Sequence, residues 1–240
     1  PFVIFRQIFQ FFFPVLFYLK NFTGVFHVFS SGIGRHISIS ISAEEFRPHF
    51  PFQFLQMLGE KDVVCVGEIM NYREIIRENH LEITKFLDYL RQEHPGYVIE
   101  GHCPSLVDLD LAKFLYLGIN GDHTEHTLEE VKQRIENGMF FEIQDKMLKP
   151  EVLSYICENH LFKYCSFVTD DTMADVLYEQ GHLNTVVQKA IEMGFPKEQA
   201  IYCATYTPCQ RMHFYDRGCD CSGKTGRFYP SEGSGKITGA

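Results

Sequence analysis

The chain has 240 residues, of which 45% are hydrophobic and 22% charged, so it can form one large soluble domain or two modest ones. Its net charge is −9 and it has no basic block to offset phosphate charge, which argues against a nucleic-acid-binding surface. The eight cysteines include no CxxC pair, which favours reduced thiols in a cytoplasmic protein over a disulfide scaffold.

Residues 1–61 form an atypical segment that is rich in phenylalanine. Its first 54 residues hold 14 of the 23 phenylalanines. Polar residues or proline interrupt every window of about 20 residues that could span a bilayer; these are Arg6, Gln7, Gln10, Pro14, Lys20 and Asn21. The segment also fits a signal peptide poorly. We therefore expect no membrane association, and a segment that lies partly outside the fold.

From residue 62 onward, short β-rich runs alternate with apolar residues at helical spacing. The predicted strands are DVVCVGE (62–68), YVIEGH (97–102), the strand end NGDH (120–123), MFFEIQD (139–145) and KYCSFVTDD (163–171). The predicted helices cover 71–93, 105–119, 127–138, 149–161, 172–193 and 196–206. This alternation predicts an α/β fold with parallel strands and crossover helices, either an open doubly wound sheet or a barrel. No glycine-rich phosphate-binding loop follows any strand, which disfavours a nucleotide-binding fold.

Local signals predict where some helices start and stop. The helix over 127–138 opens with a capping box formed by Thr127 and Glu130 and stops at Gly138. Asp170 or Asp171 is expected to cap the helix that follows it. Four cysteines lie in apolar patterns and are expected to be small core residues; they are Cys65, Cys157, Cys165 and Cys203.

Four polar residues lie where predicted strands finish: Glu68, His102, His123 and Asp170. The residues are 34, 21 and 47 positions apart, the last gap containing one skipped strand, and a βα unit of a barrel takes roughly 25–31 residues. In parallel α/β folds, catalytic groups converge at this carboxyl end of the strands. We therefore expect the four residues to share one functional end of the fold.

Glutamate, histidine and aspartate together are ligands for a divalent metal such as Zn, Mn or Fe. Such a metal makes hydroxide available near neutral pH, and the aspartate can carry the water proton to a leaving nitrogen. Taken singly, each residue could instead be structural: a hydrogen-bonded histidine, or a carboxylate near a helix start. A residue that can bind metal recurs at the end of four predicted strands, and this recurrence favours the metal site over four separate structural roles.

Other histidines carry weaker signals. His126 and His182 lie on helix starts or faces, where we expect them to be solvated, although either could contact a substrate. His80, His94 and His160 fall in helix or turn contexts on the opposite side of the repeat, where surface positions are expected.

The ordered motifs GEIMN (67–71), EGHCPSL (100–106), GDHTEHT (121–127), GMFFEIQ (138–144) and FVTDD (167–171) are specific. With GHLNTVVQKAIEMG, ATYTPCQRM and YDRG after them, residues 62–218 resemble the adenine deaminases of the amidohydrolase superfamily. The resemblance implies a metal-dependent (β/α)₈ barrel, here represented by about strands 4 to 8. It also implies the hydrolysis of adenine to hypoxanthine and ammonia by hydroxide attack at C6.

By this resemblance, Glu68 matches the metal-bridging carboxylate, His102 and His123 match metal ligands, and Asp170 matches a metal ligand that shuttles protons. We predict Asp170 and Glu125 as catalytic residues. The predicted substrate-binding residues are Asp171, His126 and His182. The implied cofactor is a divalent metal, Mn, Fe or Zn.

The chain departs from the family pattern in three places. Thr124 stands between His123 and Glu125, where the family tends to place glutamate directly after the histidine, which suggests a divergent branch. The family's HxH metal-binding pair does not occur in this sequence. Residues 219–240 replace the family segment IAPGKxADFILL, and a one-base shift of ordinary codons for DCSGKTGRFYP restores IAPGKLADFI. We therefore predict a frameshift near Gly218.

The leading hypothesis is a truncated, frame-damaged hydrolase of the adenine deaminase type. One alternative is a catalytically inert barrel fragment without the HxH ligands, and another is an amidohydrolase acting on a cyclic amide or N-acyl substrate. The expected partner is a small purine, with no nucleic acid and no membrane. Because an incomplete barrel leaves parallel-sheet edges open, we expect self-association into a homo-oligomer.

Overall fold

The computed structural model describes residues 65–70, 72–77, 81–170 and 172–225. These residues form two compact units. The first contains the described residues up to Cys103 together with Asp108–Asn120, and the second contains Pro104–Val107 and the described residues from Gly121 onward. The phenylalanine-rich segment over 1–61 lies outside the described residues, as do residues 226–240 of the predicted aberrant tail.

The first unit begins with two parallel strands and their helices. Its elements are β1 (Cys65–Ile69), α1 (Tyr72–Arg77), α2 (Leu81–Glu93), β2 (Val98–Gly101) and α3 (Asp108–Tyr116). Strands β1 and β2 pair in parallel, with Cys65 opposite Val98 and a register shift before Ile69 pairs with Gly101. Helix α1 packs against α3. The fully buried side chains of this unit include Val66, Leu87, Leu90 and Phe114.

The second unit repeats the strand and helix alternation three times. Its strands are β3 (Gly121–Asp122), β4 (Phe140–Ile143) and β5 (Cys165–Phe167). Its helices are α4 (Leu128–Glu136), α5 (Pro150–Glu158), α6 (Ala174–Gln180), α7 (Leu183–Glu192) and α8 (Lys197–Arg211). Strand β4 pairs in parallel with β3 and with β5. The predicted α/β class with parallel strands is therefore confirmed.

The core of the second unit fills the space around β4 and β5. Phe141 and Ile143 alternate along β4 and are fully buried, as are Val152 and Ile156 of α5. Alternation along a strand sends successive side chains to opposite faces. Phe195, which follows α7, meets the ring of Phe167 edge to face at 5.4 Å. These contacts attach β4, β5 and their helices to one another.

Helix α4 begins as its sequence predicts. Thr127 is the N-cap: its hydroxyl accepts a hydrogen bond from the backbone N–H of Glu130, whose carboxylate accepts one from the backbone N–H of Thr127. Beyond the helix, Gly138 has a φ of 83°, a left-handed conformation that suits glycine. The predicted capping box and stop signal are both confirmed.

The single helix predicted over 172–193 is wrong, because two helices occupy this range. Helix α6 ends at Gln180, and Gly181 has a φ of 88° before α7 begins at Leu183. The expected cap by Asp170 or Asp171 is also wrong, since the N-cap of α6 is Met173, whose side chain makes no capping bond. Gly181 adopts a left-handed conformation that separates the two helices, whereas the spacing of apolar residues alone predicts one continuous helix.

All eight cysteines are free thiols in the structure. Cys65, Cys165 and Cys203 are buried, as predicted, whereas Cys157 is only half-buried. Within the described ranges, none of the helices is both long enough and apolar enough to cross a membrane.

Candidate functional site

Glu68 and His102 come together in the first unit. Glu68 lies in β1 and His102 directly follows β2, whose parallel pairing with β1 brings both side chains to the carboxyl end of the strand pair. The backbone N–H of His102 donates a hydrogen bond of 3.1 Å to the carbonyl of Ile69. Nδ1 of His102 lies 3.6 Å from Oε2 of Glu68, and both side chains are about two-thirds buried.

Gly67 gives Glu68 its position in β1. A Cβ atom at residue 67 would lie 2.8 Å from Cβ of Glu100 on the neighbouring strand, a distance too short for two carbon atoms. Because Cβ of Glu100 is fixed to the backbone, it cannot move without the strand. Glycine is therefore required here for the close approach of β1 and β2 next to the candidate ligand.

His123 follows β3 in the second unit, where Glu142 and Gln144 surround it. Nδ1 of His123 lies 3.9 Å from Oε2 of Glu142 on β4, and both side chains are only 13% exposed. The side-chain amide of Gln144 donates a hydrogen bond to the backbone carbonyl of His123. The histidine is thus fixed at its backbone and has a carboxylate close to one of its ring nitrogens.

A buried polar network encloses Asp122, the residue before His123. Oδ1 of Asp122 accepts hydrogen bonds from the backbone N–H of Thr124, at 3.1 Å, and from its hydroxyl, at 2.9 Å. Oδ2 accepts from Nε of Arg134 and from Nε2 of His126, each at 2.8 Å. The side chains of Asp122, His126 and Arg134 are fully buried. These bonds fix the short segment 122–126 that carries His123.

The prediction that His126 is solvated is wrong, because its side chain is fully buried. Its ring lies against Phe141, with a centroid distance of 6.2 Å, and its backbone N–H contacts Sδ of Met147 at 3.1 Å. Its role in substrate binding stays a prediction that this burial does not favour.

Glu125, a predicted catalytic residue, is the exposed member of the same segment. Oε1 of Glu125 lies 3.1 Å from Nζ of Lys149, and the glutamate side chain is 59% exposed. Lys149 also donates a hydrogen bond of 2.9 Å to the backbone carbonyl of His126. The lysine therefore ties Glu125 to the segment from its solvent side.

Asp170 is placed differently from the other predicted ligands. It lies three residues beyond the end of β5, its side chain is exposed, and its φ of 60° is left-handed. Aspartate tolerates this conformation better than most residues do. The strand predicted over 163–171 is thus shorter than expected, and Asp170 belongs to the loop after it. Asp171 lies outside the described residues.

His182, predicted to bind substrate, lies between α6 and α7. Its Nε2 is 3.2 Å from the hydroxyl of Thr169, and its backbone N–H donates a 3.0 Å hydrogen bond to Oδ1 of Asn184. Burial lowers the pKa of the His182 imidazole.

Of the histidines expected at the surface, His160 is exposed and His94 is half-buried against the ring of Tyr97. His80 lies outside the described residues.

Sequence reasoning missed four residues around His123: Asp122, Arg134, Glu142 and Gln144. The alternation of β4 contained the signal for Glu142, because Phe141 and Ile143 on either side are apolar and point into the core. No comparable signal marks Arg134, since an arginine in an amphipathic helix is normally solvated. Its burial depends on the partner that the fold provides.

The donor types in each unit are those that a divalent metal ion binds. In the first unit, Glu68 offers a carboxylate oxygen and His102 an imidazole nitrogen, and in the second unit His123 offers an imidazole nitrogen. Carboxylate and imidazole together are ligands of Zn, Mn and Fe sites in proteins.

No family model matches the chain. Curated relatives do match, over 173 residues that make up 72% of the chain: adenine deaminase 2 of Oenococcus oeni at 43% identity and adenine deaminase 2 of Shouchella clausii at 42%. An adenine deaminase of Clostridium perfringens matches over the same length at 37% identity. Over this stretch, the chain is homologous to adenine deaminases. It spans about 30% of the length of these relatives.

Among solved structures, the chain resembles a β-aspartyl dipeptidase from Fervidobacterium islandicum, with a TM-score of 0.55 and 13% sequence identity. The likeness covers 74% of this chain and 55% of the dipeptidase. It confirms the predicted fold, part of a (β/α)₈ barrel. At this identity the likeness concerns the fold alone.

Proposed function

We propose that this chain carries part of the catalytic barrel of a metal-dependent hydrolase that deaminates adenine. The observation that carries the proposal is the homology to adenine deaminases over 173 residues, a stretch that makes up 72% of the chain. The placement of Glu68, His102 and His123 directly at or after strand ends supports the same assignment.

In this proposal, Glu68, His102 and His123 hold one divalent metal ion, Mn, Fe or Zn. Half-buried positions favour this role, because side chains that are partly shielded from water bind a cation more strongly than exposed ones. The carboxylate of Glu142 beside His123 would orient that ring, as carboxylates commonly do for metal-bound histidines. Asp170 stays a predicted further ligand, on an exposed loop.

A divalent ion bound by these residues would supply Lewis acidity and would make hydroxide available near neutral pH. The carboxylate of Asp170 accepts a proton from the attacking water and returns it to the leaving nitrogen. A C–O bond forms at C6 of adenine, the C–N bond breaks, and the products are hypoxanthine and ammonia. Glu125 stays a predicted catalytic residue, and its engagement would require its ion pair with Lys149 to open.

A second candidate is an inert fragment without enzymatic function. The HxH pair that the resemblance implies does not occur among these 240 residues. With two histidine ligands fewer, Glu68, His102 and His123 would bind a metal ion more weakly, which favours this candidate. We also propose self-association, in which an open sheet edge pairs with that of a second copy.

The test combines metal analysis with product detection on the purified chain. Mn²⁺, Fe²⁺ or Zn²⁺ is added, bound metal is measured by mass spectrometry, and ammonia and hypoxanthine are measured after incubation with adenine. We expect bound metal and both products. Bound metal with turnover of only cyclic amides or N-acyl compounds would instead indicate another amidohydrolase reaction, and neither metal nor turnover would indicate the inert fragment.

Variants then test the assigned residues. His123→Asn is expected to lose metal, whereas His160→Asn, a matched exposed histidine after α5, is expected to keep it. Asp170→Asn preserves the side-chain shape, and asparagine tolerates the left-handed backbone equally well. We expect this variant to fold normally and to lose activity by about 10²- to 10⁴-fold, the usual contribution of a general acid–base.

A further inference from the structure

Arg134 is a buried cation on α4, a helix that carries none of the proposed ligands. Its Nε donates to Oδ2 of Asp122 at 2.8 Å, and its Nη1 donates to the backbone carbonyls of Leu106 and Glu130 at 3.1 and 3.2 Å. The side chain is fully buried. A buried charge is retained only when it is paired and hydrogen-bonded, and each of these three acceptors contributes to that.

Asp122 connects Arg134 to the residues on both sides of His123. Its own backbone ends β3, and its carboxylate binds the hydroxyl and N–H of Thr124 and the ring of His126. The residue between these anchors is His123. The direction in which His123 leaves β3 therefore depends on where the Asp122 carboxylate lies, and Arg134 holds that carboxylate.

We infer that Arg134 is a positioning residue for His123, acting through Asp122. This inference rests on the proposed function, in which His123 binds a metal ion. Metal ligands must be held within about 0.5 Å of the productive geometry. Mutating a residue that orients a ligand commonly weakens metal affinity by about 10- to 100-fold. The guanidinium is suited to this role because its fixed donors can bind a carboxylate and backbone carbonyls at once.

Arg134→Lys tests the inference in the 240-residue chain. Lysine keeps the positive charge but loses the planar set of donors that bridges Asp122 to two carbonyls. We expect the variant to fold, to bind Mn²⁺ about 10- to 100-fold more weakly by titration calorimetry, and to show an altered visible absorption spectrum with Co²⁺. If Arg134→Lys does not fold, Asp122→Asn serves instead, with the same expected weakening and spectral change.

The matched control is Ile156→Ala, which creates a cavity in the core of the same unit at a fully buried position of α5. We expect it to lower the melting temperature yet keep the affinity for Mn²⁺ and the Co²⁺ spectrum. Wild-type affinity and spectrum in Arg134→Lys, or an equal loss of both in Ile156→Ala, would overturn the inference while leaving the proposed function intact. A wild-type chain that binds neither ion would overturn the proposed function, and the inference with it.

Discussion

Nε of Arg134 donates a hydrogen bond of 2.8 Å to Oδ2 of Asp122, and neither side chain is exposed to solvent. The bond connects α4 to the end of β3, two elements that are separated by the segment carrying His123. Fully buried ion pairs cost desolvation energy, so they are weak evidence for a large net gain in stability. Removing one partner is a different matter, because the other charge is left buried without compensation.

Arg134→Met is therefore expected to destabilise the protein by about 3–5 kcal/mol. The double variant Asp122→Asn with Arg134→Met should lose less than the sum of the two single changes, because the uncompensated charge is removed as well. Urea unfolding of the four proteins measures the coupling. Additive losses would mean that the pair contributes no interaction energy beyond its separate side chains.

Gly67→Ala should destabilise the first unit by about 1–3 kcal/mol, the usual cost of overpacking. The added methyl group would lie 2.8 Å from Cβ of Glu100, so one of the two paired strands must shift. Gly96→Ala is the matched control, because a Cβ at residue 96 meets no atom within 4 Å. Thermal unfolding compares the two variants. Equal melting temperatures would show that β1 accommodates the methyl group without displacement.

Thr127→Ala should remove the N-cap of α4 and cost about 1 kcal/mol at neutral pH. Partial burial by itself would raise the pKa of Glu130, but the hydrogen bonds from Thr127, together with the charges of His126 and Arg134, outweigh it and lower the pKa below 4.5. A lowered carboxyl pKa adds stability above the unfolded-state value, and this stability is lost as the pH falls through the folded-state value.

The difference in free energy of unfolding between Thr127→Ala and the wild type should therefore reach its full size above about pH 4.5 and become smaller at lower pH. The reason is that a protonated Glu130 no longer accepts both hydrogen bonds from Thr127. Urea unfolding between neutral and acidic pH follows the change. Thr127→Ser keeps the hydroxyl and serves as the control, with near wild-type stability throughout. A gap that stays constant with pH would contradict a part for the Glu130 carboxylate in the cap.

Local chemistry explains which features the sequence predicts correctly. The capping box at Thr127 involves residues three apart, and the placement of His102 follows from one apolar run that ends at Gly101. The polar residues at strand ends could be recognised because parallel strands share one functional edge. These features depend on neighbouring residues or on a periodicity, and both are visible in a single sequence.

Some of the features that sequence reasoning missed depend on contacts between distant residues. Arg134 is buried only because Asp122 and the carbonyl of Leu106 are brought to it. His126 is buried for the same reason, although its sequence context resembles an exposed helix start. The break at Gly181 was missed because apolar spacing continues on both sides of it. Tertiary partners, which the sequence pattern does not contain, determine the burial of Arg134 and His126. The break at Gly181 is instead a local backbone feature, a left-handed glycine with a φ of 88°.

Glu142→Gln tests the carboxylate that lies 3.9 Å from His123. Glutamine keeps the size of the side chain but removes its charge, so the ring of His123 loses an orienting anion. On the proposed function, we expect Mn²⁺ affinity to fall about tenfold or more, with little change in melting temperature. Glu136→Gln, an exposed position at the end of α4, is the control that should not affect binding. Equal Mn²⁺ affinities in the two variants would show that Glu142 has no part in the metal site.

The cysteines should differ sharply in their reaction with iodoacetamide. Sγ of Cys165 lies 3.9 Å from Sγ of Cys203, both residues are buried, and the hydrogen bond to Cys203 and burial raise the pKa of the Cys165 thiol. The reactive species is the thiolate, so Cys165 should react only when the protein unfolds. Cys221 is exposed and should be labelled in the native state, although the neighbouring Cys219 thiol raises its pKa.

Peptide mass spectrometry after timed labelling at pH 8 measures both rates on the same sample. Labelling of Cys165 should accelerate with added urea in parallel with unfolding, while labelling of Cys221 should change little. Cys221→Ser is the control, since it should remove labelling at residue 221 and leave the slow labelling of Cys165 unchanged. Comparable rates at Cys165 and Cys221 without denaturant would mean that α8 opens from β5 in the native state.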